Sequence, residues 1–277
     1  MTYLNDRKKV TVQTIIRKKA KGEPIAVLTA YDYFIARLLD RAGIDVILVG
    51  DSASNVVHGH DSTLPISMDI MVAHTAAVAR GTEKALIVAD MPFLSFQPSI
   101  ETAVLNAGRF LKEGNAHAVK IEGGVEMAST IRRVVECGIP VMGHIGLTPQ
   151  SIHRFGGPKV QGRRDKSRAY LMESALALEE AGCFSMVLEL IETAAAGEIT
   201  STLKTAATIG IGAGRNCDGQ VLVINDILGM REEGFKPKFL RQYADLPPVI
   251  YKAVEEFIRD VRTGAYPGDD ESYSNSD

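Results

Sequence analysis

The chain has 277 residues, of which 45% are hydrophobic, so it can bury a sizeable core, and its length suits a single α/β barrel domain. Its formal net charge is only −3, and it contains no block of lysine and arginine residues. This charge pattern excludes the basic surface that binds nucleic acid or an anionic membrane, so we expect a small-molecule partner.

Eight short apolar runs, each bounded by turn residues, are spaced along the chain. Runs of about four to eight residues rich in valine and isoleucine are typical of buried parallel strands. The predicted strands are, in order, Ile25–Thr29, Ile44–Val49, Leu86–Ala89, Ala118–Ile121, Pro140–Gly143, Ser185–Leu190, Thr208–Ile211 and Val221–Ile224.

Segments with helical spacing of apolar residues separate most of these strands. The predicted helices are Thr11–Lys18, Tyr31–Ala42, Ser67–Arg80, Ile100–Lys112, Val125–Cys137, Ser167–Ala181, Ala194–Thr205 and Val249–Val261. Eight strands that alternate with helices predict a (β/α)8 TIM barrel of the α/β class. We expect one domain over residues 1–277, with the first helix closing the barrel bottom and a frayed acidic tail over about 264–277.

Two long polar loops interrupt this alternation. The first, Ser52–Pro65, follows the second strand, and the second, residues 146–165, follows the fifth strand. Connections of this length are usually functional, so we expect the second loop to fold over a ligand.

The cellular location is also constrained by composition. No apolar run approaches the roughly 20 residues of a membrane span, and the segment Met1–Lys9 is too polar for a signal peptide. The cysteines Cys137, Cys183 and Cys217 lie far apart in sequence, which indicates neither a disulfide framework nor a thiolate zinc site. We therefore expect a cytoplasmic protein.

Ionisable residues stand at the carboxyl ends of five predicted strands: Asp51, Asp90, Glu122, His144 and Glu189. In a barrel these ends share one rim, where α/β enzymes build their sites. The first three follow neighbouring strands, and hard carboxylate oxygens without soft ligands suit Mg²⁺. The alternative is that Asp51 and Asp90 only cap turns or helices.

Lys120 lies two residues before Glu122, so strand alternation points both side chains into the barrel top. A buried lysine needs a negative partner, which a substrate carboxylate or the metal-binding carboxylates would supply. A purely structural ion pair with Glu122 is the alternative. A Schiff base between Lys120 and a carbonyl substrate not bound by metal also stays open.

Glu189 lies in the apolar stretch Val187–Ile191, where burial raises the pKa of a carboxylate and prepares it for proton transfer near neutral pH. Pairing with a barrel lysine or arginine is the alternative. His144 is equally compatible with a satisfied polar group and with a role in the site.

Three other motifs carry less information. His58 and His60 resemble a metal-binding pair, yet no third zinc-type ligand stands nearby in sequence. The stretch Gly210–Gly214 lacks the spacing of the dinucleotide-binding fingerprint and either cradles a phosphate or makes a tight turn. Phe155–Gly157 predicts a mobile loop rather than a nucleotide site.

At several motifs the sequence resembles the ketopantoate hydroxymethyltransferase family, over roughly residues 10–245. The matching stretches are Thr29–Asp32, Val49–Ser52, Gly59–Pro65, His74–Val78, Val119–Gly124, Gly143–Gln150, Lys159–Arg163 and Ile209–Gly214. The resemblance implies a barrel of the phosphoenolpyruvate/pyruvate type. It also implies a homo-oligomer, often a decamer.

The resemblance further implies Mg²⁺ on Asp51, Asp90 and Glu122, substrate contacts from Ser52 and Lys120, and proton transfer by Glu189. Our predicted substrate-binding set adds Asp51, Asp90 and His144 to Ser52 and Lys120. The implied reaction transfers a hydroxymethyl group from 5,10-methylenetetrahydrofolate to 3-methyl-2-oxobutanoate and gives 2-dehydropantoate in pantothenate biosynthesis. The implied mechanism is Mg²⁺-assisted enolate formation.

Two alternatives to this function remain. One is a Mg²⁺-dependent carbon–carbon lyase or phosphonomutase of the same barrel group, which needs an acid or a thiol on a mobile loop. Neither long loop contains a cysteine. The other is a non-catalytic barrel that binds a metabolite, although five ionisable strand ends are more than binding alone requires.

Overall fold

The computed structural model describes residues 8–231 and 237–273, and its centre is a closed barrel of eight parallel strands. The strands are β1 (Ile25–Thr29), β2 (Val46–Val49), β3 (Leu86–Asp90), β4 (Ala118–Glu122), β5 (Val141–Gly146), β6 (Ser185–Glu189), β7 (Ala207–Ile211) and β8 (Gly219–Leu222). Each strand pairs with the next in sequence, and β8 pairs with β1. The predicted (β/α)8 barrel is confirmed.

Helices follow most of the strands. They are α1 (Val12–Lys21), α2 (Tyr33–Ala42), α3 (Ala53–Val56), α4 (Met68–Gly81), α5 (Ile100–Lys112), α6 (Ala128–Glu136), α7 (Ile152–Phe155), α8 (Asp165–Glu180), α9 (Thr193–Thr202), α10 (Ile224–Ile227) and α11 (Pro247–Thr263). Short 3₁₀ turns occupy Val125–Met127, Pro149–Ser151 and Asp269–Glu271.

Capping residues decide where the first helices begin and end. The Asp32 side chain accepts the Ile35 N–H, so α2 begins at Tyr33 rather than at the predicted Tyr31. Gly43, with φ of +92°, ends this helix in the left-handed conformation that favours glycine. Thr11 and Gly22 play the same two roles for α1.

Some predicted boundaries are wrong. The long loops predicted after the second and fifth strands each contain a short helix, α3 and α7. The eighth strand does not extend to Ile224, because Ile224 begins α10. The sixth strand ends at Glu189, because Leu190 has a φ of +45°, which no strand residue adopts. In the tail predicted to fray, Asp269–Glu271 form a 3₁₀ turn, and residues 274–277 lie outside the described residues.

The lower part of the barrel interior is apolar. Alternate residues of the strands, such as Val27, Leu48 and Val88, pack there in one buried cluster. Val10 and Ile15 belong to the same cluster, so the segment that contains α1 closes the barrel bottom as predicted. Burial of these side chains fixes the strands, and the upper interior is left for polar residues.

The chain divides into two compact units, Met1–Ile224 and Asn225–Asp277. The first unit contains the barrel. The second contains α11, whose larger apolar side chains are exposed. The expectation of one domain over residues 1–277 stays a prediction. In the part of the chain that the structure describes, no helix has both the length and the apolar character of a membrane span.

Candidate active site

Ionisable side chains from β3, β4 and β5 fill the upper barrel interior. The strand register pairs Asp90 with Lys120, and Glu122 with His144. Because side chains alternate and Ala118 faces the apolar core, Lys120 and Glu122 also face the interior. None of these four ionisable residues is more than 5% exposed. The predicted orientation of Lys120 and Glu122 is confirmed.

Asp51 joins this group from the end of β2. It is 4% exposed, and its backbone N–H donates to Oδ2 of Asp90 across a distance of 3.3 Å. The next residue, Ser52, has its Oγ 2.8 Å from the Tyr31 hydroxyl. A Cβ added at Gly50 would lie 2.7 Å from Ser52 Oγ, so the glycine makes room for this serine.

Lys120 lies at the centre of the group. Its Nζ is 2.8 Å from Asp90 Oδ1, 3.5 Å from Glu122 Oε1 and 3.1 Å from His144 Nδ1. Burial lowers the pKa of Lys120, but the carboxylates of Asp90, Glu122 and Asp51 outweigh burial and raise it above its ordinary value. Lys120 is therefore an ammonium ion, which argues against the Schiff base, since that bond needs a neutral amine.

His144 connects two carboxylates on opposite sides of its ring. Its Nδ1 lies 3.2 Å from Glu122 Oε1, and its Nε2 lies 3.3 Å from Glu189 Oε2. Burial and Lys120 lower the pKa of His144, but Glu122 and Glu189 raise it to about 9. A proton on Nε2 faces Glu189, so the ring links the lysine-centred group to the end of β6.

The three central carboxyl groups differ in their electrostatic surroundings. Burial, followed by repulsion from Asp90 and Glu122, raises the pKa of Asp51 well above its ordinary value. Burial raises the pKa of Asp90 although Lys120 opposes the rise. Burial also acts to raise the pKa of Glu122, but Lys120 and His144 outweigh it and lower that pKa. Asp51 thus has the weakest compensation by positive charge.

The sequence matches the ketopantoate hydroxymethyltransferase family model over residues 9–269. This chain belongs to that family. A relative from Syntrophotalea carbinolica, named 3-methyl-2-oxobutanoate hydroxymethyltransferase, is 56% identical over 97% of this chain and 100% of its own length. A relative of the same name from Chlorobaculum parvum is 54% identical over 95% of this chain and 96% of its own length. The chain is thus an enzyme of the transferase class.

Solved structures of more distant proteins share the fold. A phosphonopyruvate hydrolase in complex with oxalate and Mg²⁺ superposes with a TM-score of 0.58 and 14% identity, over 96% of this chain and 93% of that chain. A 2,3-dimethylmalate lyase of the PEP mutase/isocitrate lyase superfamily gives a TM-score of 0.58 and 16% identity, over 96% and 92% of the two chains. At this sequence identity the likeness shows a shared barrel fold and nothing about activity.

The side chains at the rim fit a hard divalent cation. Asp90 Oδ1 and Glu122 Oε1 are buried without a well-aligned hydrogen bond. The four carboxylates of the rim, those of Asp51, Asp90, Glu122 and Glu189, outnumber the two basic side chains there. Across residues 8–231 and 237–273, no three side chains of His, Cys, Asp or Glu form a ready-made metal cage. Mg²⁺ does not need one, because it usually takes one or two carboxylates and completes its shell with water and substrate.

The barrel brings the predicted site residues of this chain together. Neither Asp51 nor Asp90 is the N-cap of the helix that follows its strand, because Ser52 precedes α3 and Ser99 caps α5. The alternative that these residues cap turns stays open. Lys120 is closer to Asp90 than to Glu122, and the structural ion pair remains an alternative. The Glu189 side chain is 19% exposed, so it is better solvated than its apolar sequence neighbours indicated.

Sequence reasoning missed the contacts of three residues, Gln150, Tyr31 and His74. Gln150 hydrogen-bonds to Asp51 and Glu122. Tyr31 holds Ser52. His74 lies with its Nε2 2.9 Å from that of His58, although the sequence showed no partner for the His58 and His60 pair. All three partners are distant in sequence, so only the motifs shared with the family mark them.

Proposed function

We propose that this enzyme transfers a hydroxymethyl group from 5,10-methylenetetrahydrofolate to 3-methyl-2-oxobutanoate and thereby makes 2-dehydropantoate for pantothenate biosynthesis. Membership of the family and the names of its relatives support the overall reaction. The observation that carries the chemistry is the buried rim in which Lys120 lies 2.8 Å from Asp90 and 3.5 Å from Glu122.

The substrate is a 2-oxo acid, so it brings a carboxylate and a carbonyl oxygen into this rim. The Lys120 ammonium ion balances the substrate carboxylate, and Ser52, held by Tyr31, donates a hydrogen bond to it. Asp51, Asp90 and Glu122 would hold Mg²⁺. When bound, this ion supplies Lewis acidity at the 2-oxo group, which makes the C3 proton easier to remove.

Glu189 is the proposed proton-transfer residue. Its carboxylate lies at the end of β6, partly open to solvent, and His144 Nε2 faces it at 3.3 Å. It accepts the proton from C3 or passes one to the folate nitrogen. The electron pair freed at C3 forms the bond to the methylene carbon, and both bonds from that carbon to the folate nitrogens break. One water molecule supplies the hydroxyl oxygen of the product, and its two hydrogens together with the C3 proton complete that hydroxyl group and the two folate N–H groups. The segment that contains α7 contacts the rim through Gln150 and would shield the reactive methylene from bulk solvent.

The folate has a candidate position in a cleft of about 610 Å³ between the segments that follow β2 and β5. The cleft is lined by Asn55, Asp61, Ser62, Thr63, Pro149, Ile152, His153, Gly156 and Gly157. Apolar walls with a few polar groups suit a flat heteroaromatic ligand. If the pteridine binds there, Asp61→Asn raises the KM for the folate and leaves that for the oxo acid unchanged.

The decisive experiment follows 2-dehydropantoate formation from 3-methyl-2-oxobutanoate and methylenetetrahydrofolate, with and without EDTA. We expect product only when both substrates and Mg²⁺ are present. Full turnover in thoroughly chelated buffer would refute the metal proposal. Cleavage of a 2-oxo acid or a phosphonate by the same preparation would favour the lyase or phosphonomutase alternative.

We also propose that the protein is a homo-oligomer, and a decamer as the family resemblance implies. Large apolar side chains of α11 support an interface, since they are between 39% and 69% exposed; they are Val249, Ile250, Tyr251, Val254, Phe257, Ile258 and Val261. Light scattering coupled to size-exclusion chromatography tests the number of subunits, and a monomer would contradict this proposal. The predicted cytoplasmic location stays a prediction.

A further inference from the structure

Gln150 contacts more of the rim than any sequence pattern indicates. It lies in the 3₁₀ turn Pro149–Ser151, which Leu147 and Thr148 separate from the end of β5. The turn brings Gln150 into the protein, where it is only 5% exposed. A buried amide of this kind must satisfy two donors and one acceptor, so its partners fix its orientation.

Both amide donors of Gln150 are used at the rim. Its Nε2 donates to Asp51 Oδ2 at 2.9 Å and to the Met91 carbonyl oxygen at 2.9 Å. Its Oε1 accepts from Gln97 Nε2 at 3.1 Å. The reversed amide would place an oxygen against two acceptors, so the observed orientation is the only one that these neighbours allow. Because Met91 follows Asp90, one amide ties the end of β2 to the end of β3.

The backbone of the same residue binds a third strand end. The Gln150 N–H donates to Glu122 Oε2 at 3.1 Å. Asp51 Oδ2 and Glu122 Oε2 are thus both occupied by Gln150. Glu122 Oε1, in contrast, is buried without a well-aligned hydrogen bond.

We propose that Gln150 is a positioning residue that fixes the carboxylates of Asp51 and Glu122 in the orientation in which they would bind the cation. It touches neither the reacting atoms nor the substrate, and it acts through the carboxylates. Hydrogen bonds to metal-binding carboxylates fix their rotamers, and loss of such a bond typically weakens metal binding by about 10- to 100-fold. The inference rests on the proposed metal site.

The test measures binding of Mn²⁺, a paramagnetic substitute for Mg²⁺, by electron paramagnetic resonance in the absence of both substrates. Gln150→Met keeps the length of the side chain and removes the amide, while the backbone N–H to Glu122 stays. We expect the Kd for Mn²⁺ to rise about 10- to 100-fold. Gln150→Asn, whose amide is one carbon too short to reach both acceptors, should also weaken binding, and it carries the test if the methionine variant does not fold.

Gln220→Met is the matched control. Gln220 Nε2 also donates to a backbone carbonyl, that of Gly214 at 3.0 Å, but it lies on β8 and contacts none of the rim carboxylates. This variant should bind Mn²⁺ as the unaltered protein does. Circular dichroism and the thermal midpoint establish that each variant is folded.

The kinetic readout separates positioning from mere structural support. If Gln150 acts through the metal, the Mg²⁺ concentration for half-maximal activity rises in Gln150→Met, and saturating Mg²⁺ restores part of kcat. Equal Mn²⁺ affinity in the folded variant and in the unaltered protein overturns the role of Gln150 while the proposed reaction stands. Failure of the unaltered protein to bind Mn²⁺ overturns both the metal site and this inference.

Discussion

Replacement of Lys120 by methionine is the sharpest single perturbation of this site. Methionine fills nearly the same space, so the change removes the positive charge that lies 2.8 Å from Asp90 and 3.5 Å from Glu122. Removal of one partner from a buried ion pair costs about 3–5 kcal/mol, because the other charge is left without compensation. We expect the free energy of unfolding of Lys120→Met, measured in urea with EDTA, to fall by about this amount at pH 8.

The loss should depend on pH in a defined direction. Without Lys120, the pKa of Asp90, which burial already raises against the opposition of Lys120, rises further above its unfolded value. A carboxyl group with a raised pKa destabilises the fold as the pH rises above the unfolded pKa, and the effect is complete above the folded pKa. The difference from the unaltered protein is therefore smaller at pH 5 than at pH 8.

Lys21→Met is the control for this experiment. Lys21 pairs with Glu23 at 3.7 Å, and both side chains are more than half exposed, so its loss should change stability by less than about 0.5 kcal/mol. Two results would refute the argument that Lys120 compensates the buried carboxylates. One is a Lys120→Met variant whose free energy of unfolding changes no more than that of the control. The other is a Lys120→Met variant whose free energy of unfolding falls by the same amount at pH 5 and at pH 8.

Three further predictions concern the reaction. Asp51→Asn keeps the shape of a residue that is 4% exposed, so the fold should persist while Mn²⁺ binding and turnover fall by about two orders of magnitude or more; unchanged Mn²⁺ affinity would remove Asp51 from the metal site. Glu189→Gln should lower kcat by about 10²- to 10⁴-fold without loss of oxo-acid binding, and a near-normal rate would move the proton-transfer role to His144. Without folate, the enzyme should exchange the C3 proton of 3-methyl-2-oxobutanoate for deuterium, as NMR would detect, whereas absence of exchange would mean that deprotonation needs both substrates.

The strands and the facing of their side chains were accessible from the sequence because both follow from local patterns. Apolar runs mark the strands, and the alternation of Lys120 and Glu122 places both in the barrel interior. The register between strands is set by the closed barrel as a whole. The 3.3 Å contact between His144 and Glu189 was therefore beyond reach, since it joins neighbouring strands through a pairing that no single segment encodes.

Gln150 was inaccessible for a different reason. Nothing in the spacing of residues 146–165 indicates a 3₁₀ turn, and a glutamine in a polar loop usually faces solvent. Its buried position depends on three acceptor oxygens, those of Asp51 after β2, Met91 after β3 and Glu122 on β4, which come together only in the folded barrel. The depth of burial was equally inaccessible, since nothing in the local sequence shows that Asp51 and Asp90 are only 4% and 1% exposed.

Burial of the rim connects the stability of the barrel to its chemistry. Carboxylates that outnumber their basic neighbours in a desolvated space oppose folding, because their charged form is unfavourable there. The raised pKa of Asp51, caused by burial and by repulsion from Asp90 and Glu122, has the same origin. The apolar side chains in the lower barrel, which include Val27 and Leu48, offset this repulsion without a ligand. A divalent cation would relieve the same repulsion directly. A ligand at about 100 times its Kd adds about 2.7 kcal/mol to the free energy of unfolding. The cluster of buried carboxylates that would bind a cation therefore also makes the fold most stable when the cation is bound.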